Sequence, residues 1–166
     1  MMLSLALLSW GAYAQHDHGA HAAHKTSEQQ MGPVFKDKKL GEAYGHYSHL
    51  KNDLVASNVA EAKKASAELV KSLTEVKDGH KAHSEATKVA IASSLNDQRK
   101  AFTALSNEMA ELVKGNKLSE GQVYLTYCPM ANSNKGGAWL SNDKEVRNPY
   151  FGDRMLKCGS VKETIQ

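Results

Sequence analysis

Two sulfur-bearing blocks near the C-terminus hold the residues best suited to chemistry. Tyr127-Cys128-Pro129-Met130 and Met155-Leu156-Lys157-Cys158-Gly159 contain the chain's only two cysteines, each with a methionine close by. In an extended strand the i, i+2 spacing of Cys128 and Met130 turns both side chains to one face. In a helical turn the i, i+3 spacing of Met155 and Cys158 does the same. If the chain folds back between the blocks, two thiols and two thioethers converge. That donor set is soft, suited to Cu(I) or Ag(I) and poorly suited to magnesium or calcium. The same cysteines can instead form a disulfide, closing a loop of about thirty residues worth roughly 3–4 kcal/mol in the chain-entropy model. Methionines beside both cysteines tilt the balance toward metal, because bare cysteine pairing does not need them.

Histidine supplies a second kind of donor. His16, His18, His21 and His24 fall within nine residues, a cluster of borderline imidazole ligands fit to gather Cu(II) or Zn(II) weakly. His46 with His49, and His80 with His83, form H-x-x-H pairs that a helix would present on one surface. His80 and His83 lie among polar neighbours and read as surface residues. His46 and His49 lie between Tyr44, Tyr47 and Leu50, where an imidazole could join the sulfur site if the C-terminal region docks there.

These residues need elements to position them. Residues 1–14 carry no charge, include the apolar run Leu3-Ser4-Leu5-Ala6-Leu7-Leu8, and end in Ala12-Tyr13-Ala14 before Gln15. This pattern predicts a signal peptide and an exported protein, periplasmic or secreted, in a compartment that permits disulfides. Residues 15–39 form a polar, histidine-rich tail expected to be disordered. From Leu40 the period becomes helical, with Leu40, Ala43, Tyr44, Tyr47, Leu50 and Leu54 in one apolar stripe. Asn58 and Glu61 have capping spacing ahead of a second stripe through Val59, Ala62, Ala65 or Ser66, Leu69, Leu73 and Val76. The periodic run from His80 to Lys114 is twice as long as either of these, and Ser94 with Asp97 offers a cap that divides it. Its halves carry Ala86, Ala90 and Ile91, then Leu95, Phe102, Leu105, Met109, Leu112 and Val113.

The fold class that follows is mainly α, an up-and-down four-helix bundle over residues 40–115. Residues 116–166 make a loop-rich C-terminal cap packed on it as part of one domain. Gln122-Val123-Tyr124-Leu125-Thr126-Tyr127 is a short strand leading into Cys128. Trp139, Tyr150 and Phe151 are expected to form the cap's small core, and Arg147 to pair with a carboxylate or carbonyl.

The blocks Tyr127–Ala131, Lys135-Gly136-Gly137-Ala138-Trp139-Leu140, Arg147-Asn148-Pro149-Tyr150-Phe151-Gly152 and Met155–Gly159 resemble a bacterial exported domain of formerly unknown function. Leu50–Ser57 and Asp97–Ser106 are similar too, so the resemblance spans about residues 40–162. That domain also occurs at the C-terminus of periplasmic adaptor proteins of copper/silver efflux. The resemblance implies heavy-metal handling, copper first, with Cys128, Met130, Met155 and Cys158 as ligands and an efflux adaptor or other envelope copper protein as partner. A net charge of +3 with interleaved signs gives no nucleic-acid stripe. No nucleophile elbow, H-E-x-x-H or Cys-x-x-Cys suggests an enzyme. No run approaches the ~20 apolar residues of a membrane span after the predicted cleavage. The expectation is a copper-binding protein for storage, delivery or resistance. The alternative is a disulfide-stabilised interaction module of an efflux system.

Overall fold

Local capping chemistry divides the helical region as its side chains dictate. The structure, a computed structural model, describes residues 32–166. The predicted signal segment and the tail histidines His16, His18, His21 and His24 lie outside the described residues. Helix α1, Lys38–Val55, starts at Asp37, whose Oδ1 accepts from Lys39 N at 2.9 Å and Leu40 N at 3.4 Å. It ends where Ser57 takes a positive φ. Helix α2, Val59–Leu73, is capped by Asn58, whose Oδ1 accepts from Glu61 N at 3.2 Å. Helix α3, His80–Ile91, follows a turn in which Gly79 has no room for a side chain, a Cβ there lying 2.8 Å from Leu73 O. Helix α4, Leu95–Gly115, begins at Ser94, whose Oγ accepts from Asp97 N at 3.1 Å and donates to Asp97 Oδ2 at 2.6 Å.

Each helix packs against its neighbour in the chain, and α4 returns to touch α1 and α2. The α1 stripe from Leu40 to Leu54 is wholly buried, as are Ala62, Leu69 and Leu73 of α2 and Phe102, Leu105, Met109 and Val113 of α4. Ser66 replaces Ala65 at the centre of α2, its hydroxyl donating to Ala62 O at 2.7 Å, so no polar group is stranded. In α3 the buried stripe is Ala82, Ala86 and Val89, and Ile91 is 72% exposed instead of buried. The i, i+4, i+7 face is fixed by Ala82 and Ala86, and Ile91 falls on its far side.

The cap has more regular structure than its sequence suggests. Strands β1, Val34–Phe35, and β2, Leu118–Glu120, pair antiparallel. Strands β3, Val123–Cys128, β4, Gly137–Ser141, and β5, Ser160–Ile165, form an antiparallel sheet in the order β4-β3-β5. Residues 34 and 35 thus form a strand and residues 38 and 39 open α1, where a disordered tail was expected. Phe35 is buried, its ring 5.1 Å from that of Tyr44, and this contact holds β1 on the bundle.

β4 lies on α4, and buried aromatic rings cross the junction. Tyr44, Tyr47, Phe102, Tyr150 and Trp139 succeed one another at centroid separations of 6.1, 5.4, 5.9 and 6.0 Å. Tyr47 OH accepts from Leu140 N at 3.0 Å and shares a 2.8 Å hydrogen bond with Ser106 Oγ, satisfying buried groups of both layers. Trp139 and Tyr150 are core residues, as expected, and Phe151 is half-buried beside them. Among the described residues no helix is long and apolar enough to cross a membrane.

Candidate functional site: a paired cysteine at the sheet end

The register of the cap sheet brings the cysteines together. β3 ends at Cys128, and its antiparallel partner β5 begins at Ser160, with Tyr127 opposite Ser160. The chain entering β5 therefore passes the end of β3, and Cys128 Sγ and Cys158 Sγ lie 2.8 Å apart. No bond joins the two sulfurs. Cys128 is fully buried, opposite Gly137 of β4, and Cys158 is partly exposed. Gly159 makes this approach possible. Its φ is +136, and a Cβ there would lie 2.9 Å from Trp139 Cη2 and 3.0 Å from Tyr127 O.

Asn148 fixes the backbone of Cys158. Its Nδ2 donates to Cys158 O at 2.7 Å, its N donates to Leu156 O at 2.8 Å, and its Oδ1 accepts from Tyr150 N at 2.8 Å. The next residue, Pro149, accepts from Arg99 Nε at 2.8 Å, and Arg99 Nη2 donates to Leu54 O and Ser57 Oγ, both at 2.9 Å. A nearly buried guanidinium thus ties the loop before Cys158 to α4 and to the end of α1. Burial first, then Arg154, lowers its pKa from the usual value. Arg147, the arginine expected to make such a pairing, is exposed. Nothing in a sequence separates Arg99 from a solvated helix arginine except its place two positions after Asp97 and three before buried Phe102. Asn148 was visible only as part of an Asn-Pro turn.

The hydrogen bond with Cys128, then burial, then the charge of Cys128, raise the Cys158 thiol above the usual thiol range. Sulfurs 2.8 Å apart leave no room for an ion between them, so Cys128 and Cys158 would hold a soft metal only with the partly exposed Cys158 side chain turned outward.

The methionines are placed differently from each other. β3 ends at Cys128, and Met130 sits in the turn that follows, 46% exposed, so the alternation of a strand does not govern it. Met155 ends the 3₁₀ turn Gly152–Met155 and its carbonyl accepts from Cys158 N at 3.0 Å, the tight turn that i, i+3 spacing requires. Met155 is half-buried. His46 and His49 line an open groove of about 450 Å³ with Asn52, Asp53, Glu61 and Glu68, formed by α1 and α2 and by no residue of the cap. Neither cysteine lines that groove. His80 lines a separate groove with Glu108 and Glu111. Among the described residues no three His, Cys, Asp or Glu side chains converge to hold a metal.

A helical bundle whose strand-containing cap carries one buried and one accessible thiol is the class that fold and site define. Residues 43–121 match the family model described as Protein of unknown function (DUF3347). That stretch runs from within α1 to the turn after β2, so the likeness covers most of the bundle. The matched residues stop short of Cys128 and Cys158, a narrower span than the 40–162 of the resemblance. No curated protein and no solved structure matches the chain.

Proposed function

We propose that this protein is an exported copper-binding protein that takes up Cu(I) between Cys128 and Cys158, for storage, delivery or resistance. The observation that supports this reading best is the convergence of the chain's only cysteines at a partly exposed edge of the cap. Two thiolates give a soft, tight seat for a monovalent ion, and Ag(I) would share it. Met155, in the turn leading to Cys158, and Met130, exposed beyond Cys128, can add thioether donors. The tail histidines His16, His18, His21 and His24 would gather Cu(II) or Zn(II) at lower affinity. His46 and His49 belong with that weaker class, in their own groove. The resemblance to a domain fused to copper/silver efflux adaptors supports copper as cargo and such an adaptor as the receiving partner. The chemistry is reversible coordination, with no covalent step on a substrate.

A second reading is a disulfide-stabilised interaction module without a tight metal site. The 2.8 Å sulfur separation and the full burial of Cys128 favour it. Measuring copper retention after reduction of the native protein separates the two. After full reduction, one copper ion retained per chain supports the first, and no retained copper supports the second. Anaerobic titration of the reduced protein with Cu(I) against a competing chelator, repeated on Met130→Leu with Met155→Leu, tests the ligand set. Unchanged affinity in the double variant removes the methionines from the site.

A further inference from the structure

We propose that Cys128 and Cys158 form a reversible dithiol–disulfide couple that exchanges with external dithiols through Cys158 alone. A dithiol reductant must then act before Cu(I) can load; this consequence rests on the copper reading, whereas the order of the two sulfurs does not.

The asymmetry of the site carries the inference. Cys128 closes the central strand β3, paired on one side with β4 and on the other with β5, and has no exposed surface. No external sulfur can approach it. Cys158 follows the 3₁₀ turn, ahead of β5, and is partly exposed. Its carbonyl is held by Asn148, so its side chain can turn while its backbone stays in place. Thiol–disulfide exchange needs an attacking thiolate to reach one sulfur while the other departs. Here only one arrangement is open, attack on Cys158 with Cys128 leaving inward.

Reduction runs in two balanced steps. A thiolate of the external dithiol attacks Cys158 Sγ, forming a mixed disulfide as the Cys128–Cys158 bond breaks, and Cys128 leaves as a thiolate that takes up a proton. The second thiol of the reductant, losing its proton, attacks its own sulfur in the mixed disulfide. The reductant departs as a disulfide, and Cys158 is released and protonated. Two electrons and two protons pass from the external dithiol to the pair. Oxidation by an external disulfide reverses both steps, with Cys128 displacing the partner from Cys158. The oxidised pair has no thiolate for Cu(I), so oxidation expels the ion and reduction readmits it.

The test follows adducts on the full chain with oxidised glutathione as the probe. Cys128→Ser should form a mixed disulfide at Cys158 at least about tenfold faster than Cys158→Ser forms one at Cys128, since accessibility governs such rates. Cys128→Ala serves as a second variant should the buried hydroxyl of Cys128→Ser disturb the sheet. The wild-type protein should pass to an internal disulfide without accumulating adduct, and dithiothreitol should restore both thiols. Equal or faster reaction at Cys128 overturns the proposal, as does a wild-type pair that keeps two free thiols in excess oxidised glutathione. Cu(I) titration of the reduced wild type is read separately. Exchange without copper binding contradicts the proposed function alone, and copper binding without exchange contradicts this inference alone.

Discussion

Lys51 lies on the inner side of α1 with 3% of its surface exposed and no carboxylate within ion-pair distance among the described residues. Burial pushes its pKa from the usual lysine value down to about 8, Asp143 opposing the shift and Arg147 adding to it. The unfolded chain therefore binds more protons than the folded one between about pH 8 and 10, and stability rises with pH across that window. Below pH 8 both states are protonated and the folded state carries the full cost of the buried charge. Burial raises the pKa of Tyr44, Tyr47 and Tyr150, so stability falls again once the unfolded tyrosines ionise above pH 10. Lys51→Met should raise stability at pH 7 by about 1–3 kcal/mol and flatten the rise from pH 8 to 10. Denaturant titrations of both proteins at pH 7 and pH 10 check this. An unchanged slope would show that Lys51 reaches solvent.

Single residues were legible where their roles are local. The two blocks marked Cys128 and Cys158 as partners only if the chain folded back between them, a fold-back that the pairing of β3 with β5 supplies. The placement of Met130 was not legible, because no pattern marks Cys128 as the last residue of its strand. Arg99 and Lys51 look like ordinary polar helix positions in the sequence. Arg99 is held by Pro149 of the cap loop and by Leu54 and Ser57 at the end of α1, all distant from it in the chain.

At the scale of elements, local chemistry was easy to read and non-local pairing was not. The caps at Asn58 and Ser94 and the four apolar stripes place the helices within a few residues, because capping boxes and periodicity are properties of neighbours in the chain. Strands β1, β2, β4 and β5 escaped notice. β1 has two residues, and β5, Ser-Val-Lys-Glu-Thr-Ile, exposes most of its length and becomes a strand only by pairing with β3. The loop between β4 and β5 shows why its glycines matter. Gly152 has a φ of +58, and a Cβ there would lie 2.8 Å from Val55 O and 2.9 Å from Arg99 Nη2. Gly152→Ala should destabilise the protein by about 1–3 kcal/mol, from strain and from lifting the loop off Arg99. Urea unfolding reads the loss, and hydrogen exchange should show it first at Asn148 to Leu156. A change below about 0.5 kcal/mol would mean that the loop does not rest on the bundle.

For the molecule as a whole, the bundle holds a small sheet at one end of which the last residue of β3 meets the segment leading into β5, pairing two sulfurs. Closing Cys128 to Cys158 should raise stability by roughly 3–4 kcal/mol over the reduced form, by the loop length in the chain-entropy model. Thermal unfolding of oxidised and reduced samples at one protein concentration measures this, and no difference would mean that the cap sheet does not need its covalent tie. The most direct test of the central claim is anaerobic Cu(I) competition titration of the fully reduced full-length protein beside Cys158→Ser. The account predicts one Cu(I) per chain held against the chelator by the wild type, and at least about a hundredfold weaker binding in the variant, since one thiolate of the pair is gone. Equal affinity in the two proteins, or no retention of Cu(I) by the reduced wild type, would contradict it.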